Sequence, residues 1–434
     1  MLISILSCCL LLPIGCSNDD IIDNVMVADI ENPIVKEYIS NVVYDDDDYS
    51  YTKVLDYCNI ETDWDKSYPL PVHILINNEI IQGLRQEGIE SLTIQTFKDD
   101  ILFREDVCEL NNDLSIYNLI PNQKYHYYVS YIDSEGISHS LIDGDVFVRG
   151  QFRAIYVEGM HNIRDIGGYE TIYGKRVKYD KLFRSAELQR KANPAQGDIT
   201  PKGINELLYN LKIGVELDFG DENTESPVQE MIEFMNARDY KISSYNIALN
   251  PDSLGYTGDR IRNCFDLILN RLQLNQKVLF HCNAGADRTG TLAFILEALL
   301  GVSESDLAKD YEITSFFKGY IRRRDVDWVA DRGSGYPAMI DYIKTNFEGQ
   351  SLNEKVENMM LSFGISYDQI DAFRQIMLEE QDDTPTTIQN LGDSKIDDNS
   401  TKSDIIPIYN LAGIRTKKEK RGVHVVKGNK IMVK

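Results

Sequence analysis

The chain has 434 residues, of which 43% are hydrophobic, 26% charged and 10% aromatic. At roughly 150 residues per unit that length predicts two or three domains, and the composition excludes a wholly disordered, collagen-like or multi-span membrane protein. The 45 basic and 69 acidic residues leave a net charge of −24, which argues against nucleic acid as a partner, and seven cysteines are too few for a disulfide-built scaffold.

Met1 to Ile14 is an apolar run as long as one signal-peptide core and too short to cross a bilayer as an ordinary helix. It leads into Gly15-Cys16-Ser17-Asn18-Asp19-Asp20, a small residue and a cysteine followed by polar and acidic residues. This resembles the lipobox of bacterial lipoproteins, where lipid is attached to the cysteine. The resemblance makes residues 1–20 a signal and tether. It implies an exported protein of the cell envelope or surface, anchored to a membrane through Cys16 without spanning it.

Residues 21–150 show short alternating runs broken by turns, with little helical periodicity. Strands are expected at Pro71 to Ile76, Leu92 to Phe97 and Tyr125 to Tyr131. In the last, Tyr125, Tyr127, Val129 and Tyr131 share one face, which suits packing against a second sheet. The segment Leu119-Ile120-Pro121-Asn122-Gln123-Lys124-Tyr125 has the L-x-P-x-x-x-Y spacing of fibronectin type III domains, which it resembles. There the tyrosine hydroxyl ties a strand corner back to the backbone. The resemblance implies an all-β sandwich that acts as a spacer or binds another protein. Asp45 to Asp48 reads as a solvated acidic turn, because four consecutive carboxylates diverge and lack the spaced oxygens and glycine of a calcium loop. Cys58 and Cys108 would be able to pair in an oxidising compartment, although sequence separation does not show that they meet.

The stretch that carries chemistry is Lys277 to Thr291, KVLFHCNAGADRTGT. It opens as a short apolar run with the look of a buried strand. Leu292 to Leu300 then reads as a helix buried on most sides and stopped by Gly301. Between them lies Cys-x5-Arg, with Gly285 and Gly290 at its bends. A loop that curls into a helix start aims backbone N–H groups at its centre and so makes a site for a tetrahedral anion. The same partial positive charge, with Arg288 beside it, favours the thiolate of Cys282, which can attack phosphorus in line. Arg288 would grip two phosphoryl oxygens with its planar fork. Thr289 would donate to the sulfur when it leaves, and His281 would fix the loop through backbone hydrogen bonds. The phosphate-binding loop then comprises Asn283, Ala284, Gly285, Ala286, Asp287 and Arg288. A free cysteine is usually inert core; His281, Gly285, Thr289 and Gly290 at a strand–helix junction argue for the catalytic alternative. No cofactor is expected and no metal, since the six histidines show no ligand-spaced cluster.

This stretch resembles the HCxxGxxR[ST] signature of the cysteine-dependent tyrosine phosphatases, and more narrowly a bacterial group related to dual-specificity and lipid phosphatases. His161-Asn162-Ile163-Arg164-Asp165-Ile166-Gly167-Gly168-Tyr169 and Leu182-Phe183-Arg184-Ser185 are similar to that group's NxRDxGGY…LFRS opening. Asp306 to Thr314 is similar to the helix that follows its phosphate loop, and the later stretch from Phe363 to Leu378 also fits. The resemblance covers about Tyr156 to Glu380. It implies an α/β cysteine-phosphatase fold, a central mostly parallel sheet flanked by helices, over residues 151–380. It further implies a protein-tyrosine phosphatase acting through a phosphocysteine intermediate on phosphotyrosine, with phosphoserine and phosphothreonine as further candidates.

Such chemistry needs an acid for the leaving group and a base for water, and one carboxyl can serve both. By the resemblance the acid is Asp287, next to the loop arginine; in the wider dual-specificity family it sits on a separate loop, which here points to Asp252. Asp259 is a third candidate, and Asp287 has the alternative role of holding Arg288. Two departures stand out. Ala286 replaces the group's lysine, and Asp218-Phe219-Gly220 replaces its Asp-Leu-Arg. A pocket short of two cations suits a monophosphate better than an inositol polyphosphate.

Residues 381–404 have the polar, acidic composition of a linker, and 405–434 form a basic tail. In the tail Ile408 to Leu411, Val423 to Val426 and Ile431 to Val433 read as strands, with a turn at Lys427 to Lys430. The tail resembles short C-terminal modules of secreted Gram-negative proteins, some of which are type IX secretion signals. Three other functions compete with the leading one. The same chemistry can serve a phosphoinositide or inositol phosphate. A binding module would hold phosphorylated ligands without turnover, against which Cys282, Asp287 and Arg288 are all intact. An arsenate-reducing enzyme would need a nearby resolving cysteine, whereas Cys264 falls in a helical run from Ile261 to Leu269.

Overall fold

The computed structural model describes residues 25–44, 53–58, 68–189, 198–220, 225–237, 254–317, 322–324 and 335–379, and four strands of the tail. Cys16, Asp45 to Asp48 and Asp252 lie outside the described residues. Among the described residues no helix is long and apolar enough to cross a membrane. Met1–Gln381 and Asp382–Lys434 form separate compact units.

The first unit begins with β1 (Val25–Asp29), α1 (Pro33–Asn41), the single turn α2 (Val54–Tyr57), β2 (Val72–Leu75) and α3 (Asn78–Gln86). β3 (Ser91–Lys98), β4 (Ile101–Glu109), β5 (Asp113–Ile116), β6 (Gln123–Ile132) and β7 (Ser138–Arg149) follow. One sheet runs β1-β7-β6-β3-β4, and β2 pairs with β5. Ile74, Ile81, Leu92, Ile94, Ile116, Tyr125, Val129 and Val146 share one core, so α3 and both sheets contribute to it. Tyr125, Tyr127 and Val129 are buried, as their alternation predicts. The Ile120 N–H donates to Tyr125 Oη at 2.9 Å, the strand-corner contact that the spacing anticipates.

The region departs from an all-β sandwich by its three helices. Asn32 and Asn77 cap α1 and α3, their side-chain oxygens accepting from Ile34 N at 3.1 Å and Glu79 N at 2.8 Å. Each of the two helices has nine residues, too few for a 3.6-residue period to stand out from a strand-rich background. The apolar side chains of α1 and the segment after it (Val35, Tyr38, Ile39, Val42, Tyr44, Val54, Cys58) belong to the core of the α/β region instead. Cys58 and Cys108 are both free thiols, the first in that core and the second packed against the sheet core.

The α/β region contains β8 (Arg164–Asp165), β9 (Leu182–Ser185), α4 (Pro201–Asn205) and β10 (Ile213–Asp218). It continues through β11 (Glu233–Asn236), α5 (Leu254–Gln273), β12 (Lys277–His281), α6 (Arg288–Leu300) and α7 (Glu304–Ile313). It ends with α8 (Tyr336–Asn346), α9 (Leu352–Ser362) and α10 (Tyr367–Met377). The sheet order is β11-β10-β12-β9-β8, parallel except for the β8–β9 pair. The expected mostly parallel sheet is therefore present, with β12 at its centre. Val278 and Phe280 face the larger core and Leu279 a smaller one with Ile155, Phe183 and Ile213; a strand buried on both faces has to read as a continuous apolar run. Every residue from Thr289 to Leu300 is buried, and each large aliphatic side chain so placed contributes about 1.5–3 kcal/mol. Gly301 ends the helix in the left-handed conformation, φ 84°.

In the tail unit, β13 (Ile408–Asn410), β14 (Arg415–Thr416), β15 (Gly422–Val426) and β16 (Asn429–Val433) form an antiparallel sheet in the order β14-β13-β15-β16.

Candidate active site

The parallel pairing of β12 with β10 and β9 sets His281 beside Asp218 and Ser185 at the carboxyl ends of the strands, where open parallel sheets form their sites. The chain then leaves the sheet at Cys282, turns through Asn283 to Asp287 and enters α6 at Arg288. Gly285 makes that turn at φ 67°, and a Cβ there would stand 2.3 Å from the Ser185 carbonyl oxygen. Both facts require glycine.

The loop carbonyls are tied outward. Asn162 Nδ2 donates to Ala284 O at 3.0 Å, and Arg184 Nη2 donates to Gly285 O at 2.9 Å. In a trans peptide the N–H opposes the C=O, so these contacts turn the N–H groups of Gly285 and Ala286 away from Asn162 and Arg184. Both anchors stand on one buried platform. Arg164 Nε donates to Asp310 Oδ1 at 3.1 Å, its Nη1 to Asn162 Oδ1, and Arg184 Nη1 to Asp310 Oδ2. Burial by itself would push the Asp310 carboxyl up, but Arg164 and Arg184 outweigh it and hold it below the usual range. Burial, and then the nearby Asp310, push the Glu297 carboxyl inside α6 well above the usual carboxylate range. The NxRDxGGY and LFRS segments and α7 thus act together as the loop's mounting.

Cys282 is 2% exposed, at the end of the strand and beneath the loop. Arg288 donates to the Phe219 carbonyl and, at 3.1 Å, to Asn283 Oδ1. Thr289 Oγ1 is buried without a hydrogen-bond partner, so its hydroxyl is uncommitted one residue into α6. The His281 side chain does more than the backbone role expected of it. Its Nε2 lies 2.9 Å from Glu216 Oε1 and its Nδ1 3.5 Å from Asp218 Oδ1. Burial disfavours the imidazolium, but Asp218, Glu216 and Cys282 prevail and raise its pKa to about 9. Glu216, Asp218 and His281 also form a group close enough to share a cation. Their contact is accounted for by the ring proton, since the imidazolium is itself a cation between two carboxylates.

Asp287 stands at the helix start, and both its oxygens are held by Arg322, Nε to Oδ1 at 2.7 Å and Nη2 to Oδ2 at 2.8 Å. Asp287 therefore pairs with Arg322, whereas the expected alternative partner, Arg288, contacts Phe219 and Asn283. Asp259 is largely exposed and pairs with Arg262 at 2.9 Å. Cys264 is buried on α5, where burial pushes its thiol far up, as its helical position suggested. Sequence reasoning missed Arg322, whose only local signal is a run of three arginines, Arg322-Arg323-Arg324. It also missed Glu216, which looks like one strand residue among others.

A parallel strand that leads through Cys282 into a short loop, with an α-helix starting at Arg288, defines an α/β protein with a cysteine loop at a strand–helix junction. The chain belongs to the tyrosine phosphatase family: that family's profile matches residues 155–379, more than half of the sequence. A Cupriavidus necator protein named "putative tyrosine-protein phosphatase" is 29% identical over 185 residues, 36% of this chain and 64% of its own length. A tyrosine-protein phosphatase of Nostoc commune is 28% identical over 182 residues, 37% of this chain. The chain spans 64% and 56% of the lengths of these two relatives.

Proposed function

We propose that this protein hydrolyses phosphotyrosine monoesters, with phosphoserine and phosphothreonine as secondary substrates, through a phosphocysteine intermediate. The observation that carries this reading is the loop itself, with Cys282 and Arg288 at its two ends and its carbonyls tied outward by Asn162 and Arg184. Cys282 sulfur attacks phosphorus, the P–O bond to the leaving group breaks, and Asp287 protonates the departing oxygen. Arg288 and the loop N–H groups hold the equatorial oxygens as charge builds on them. Water then attacks the phosphocysteine, its proton passing to Asp287, while the Thr289 hydroxyl donates to the departing sulfur.

The substrate class rests on charge. Ala286 and Gly220 contribute no cation where the resemblance expects a lysine and an arginine, so a phosphoryl group with one ester is better served than a polyphosphorylated ring. The proposal extends to the rest of the chain: lipid on Cys16 as a membrane anchor, a fibronectin type III-like module in the N-terminal sheets, and a secretion signal in the tail.

A burst assay on an aryl phosphate tests the chemistry. Wild type is expected to turn over and Cys282→Ser to give neither burst nor turnover; a protein that binds aryl phosphate without turnover would be a binding module instead. A panel of phosphopeptides and phosphoinositides compared by kcat/KM tests the substrate class, and a preference for the lipid headgroups would overturn it.

A further inference from the structure

A chain of contacts runs from the N-terminal segment to the phosphate loop. The Tyr38 hydroxyl donates to Glu312 Oε2 at 2.9 Å, and the Tyr44 hydroxyl donates to the same oxygen. Glu312 Oε1 accepts from Arg324 N at 2.8 Å, and the Arg324 guanidinium lies over the Tyr44 ring, 3.7 Å from its centre. Nearby, Cys58 Sγ donates to the Ser315 carbonyl. Ser315 Oγ in turn donates to Arg322 O at 2.7 Å and accepts from Arg322 N at 2.8 Å. The far end of Arg322 is the forked pair with Asp287. Glu312, Ser315, Arg322 and Arg324 are all buried. Tyr38 also packs on Phe316, ring centres 5.5 Å apart, and Lys309 Nζ donates to Ile39 O at 3.0 Å.

We propose that the N-terminal segment is a working part of the active site: Tyr38, Tyr44 and Cys58 hold Glu312 and Ser315 against the Arg322–Arg324 stretch, and Arg322 so held positions the Asp287 carboxylate. The inference rests on the phosphatase reading above and on Asp287 as its acid. Arg322 is a positioning residue, since its fork reaches the carboxylate and fixes the plane of both oxygens. A lysine, one point charge on a flexible stem, would hold the charge without the plane. Burial alone would lower the Arg322 pKa, but its charge and hydrogen-bond contacts with Asp287 outweigh that and raise it. The N-terminal segment then does more than space the catalytic region from a membrane, because its hydroxyls complete the mounting of an acid more than 240 residues along the chain.

The test uses the full chain with p-nitrophenyl phosphate, a good leaving group, and phenyl phosphate, a poor one. Asp287→Asn must first lower kcat more on the poor leaving group; if it does not, the phosphatase assignment of Asp287 fails and this inference with it. Given that signature, Arg322→Gln is expected to reproduce it at about tenfold, a part of the 10²–10⁴ that general acid catalysis supplies. KM should be little changed, and Arg322→Lys should recover a part. Tyr38→Phe/Tyr44→Phe should show a weaker form of the same pattern. If Arg322→Gln slows both substrates equally, or not at all, the positioning role is wrong. If the tyrosine variant keeps wild-type ratios, the N-terminal part is wrong. Amide exchange in the wild-type protein gives a check that no variant's folding affects: the Arg322 and Arg324 N–H groups should be protected, and rapid exchange there would overturn the proposal.

Discussion

Arg184 reaches from β9 to the loop between Cys282 and Arg288, one guanidinium nitrogen on the Gly285 carbonyl at 2.9 Å and another on Asp310. Its side chain is completely buried, so neither contact competes with water, and the loop's shape depends on an ion pair made elsewhere in the fold. Replacing Arg184 with Met leaves Asp310 with Arg164 as its remaining arginine partner and the Gly285 carbonyl without its donor. Breaking a buried pair in this way costs about 3–5 kcal/mol. A loss of unfolding free energy of that order, seen as a lower Tm, and at least tenfold weaker vanadate binding are expected. Unchanged vanadate affinity in a folded variant would show that the loop holds its shape unaided.

His281 supplies a pH test. Its pKa rises from 6.5 to about 9 in the fold, so its contribution to stability is complete below about pH 6.5, where folded and unfolded chains both carry the proton. As pH rises the unfolded chain loses its proton first, and the contribution declines until it is gone above about pH 9. The shift corresponds to about 3 kcal/mol. The difference in Tm between wild type and His281→Gln should shrink steadily across that window. A constant difference would mean that the ring is neutral between Glu216 and Asp218.

Asp287 and Asp252 are separated by leaving-group dependence. Asp287→Asn should lower turnover of phenyl phosphate by about 10²-fold or more and that of p-nitrophenyl phosphate much less. Asp252→Asn should leave the ratio between the two substrates near the wild-type value. The reverse outcome would move the acid to the separate loop.

Treatment with EDTA followed by gel filtration is expected to leave kcat unchanged, because the proposed charge stabilisation comes from Arg288 and backbone N–H groups. Loss of activity restored by a divalent cation would transfer attention to Glu216, Asp218 and His281, the group whose ligand atoms lie within 4.8 Å of one another.

The sequence by itself determined the features built from neighbouring residues. A buried strand, a Cys-x5-Arg turn and a helix stopped at Gly301 lie within 25 residues of one another, so local sterics and backbone hydrogen bonding write them into a contiguous pattern. The strand corner at Tyr125 was legible for the same reason: its hydroxyl meets an N–H five residues away. The two short capped helices were not, since nine residues each carry too little periodicity.

Tertiary packing alone decided the partners. Glu216 lies 65 residues before His281, and Arg322 lies 35 after Asp287; no local period links such positions. The parallel register of β10 beside β12 brings the first pair together. The second depends on a stretch hydrogen-bonded to Glu312 and Ser315, whose other partners are Tyr38, Tyr44 and Cys58. A charged side chain is stable in a buried site only where opposite charge or hydrogen bonds compensate its lost hydration, and which groups can do so is settled only once distant segments have packed.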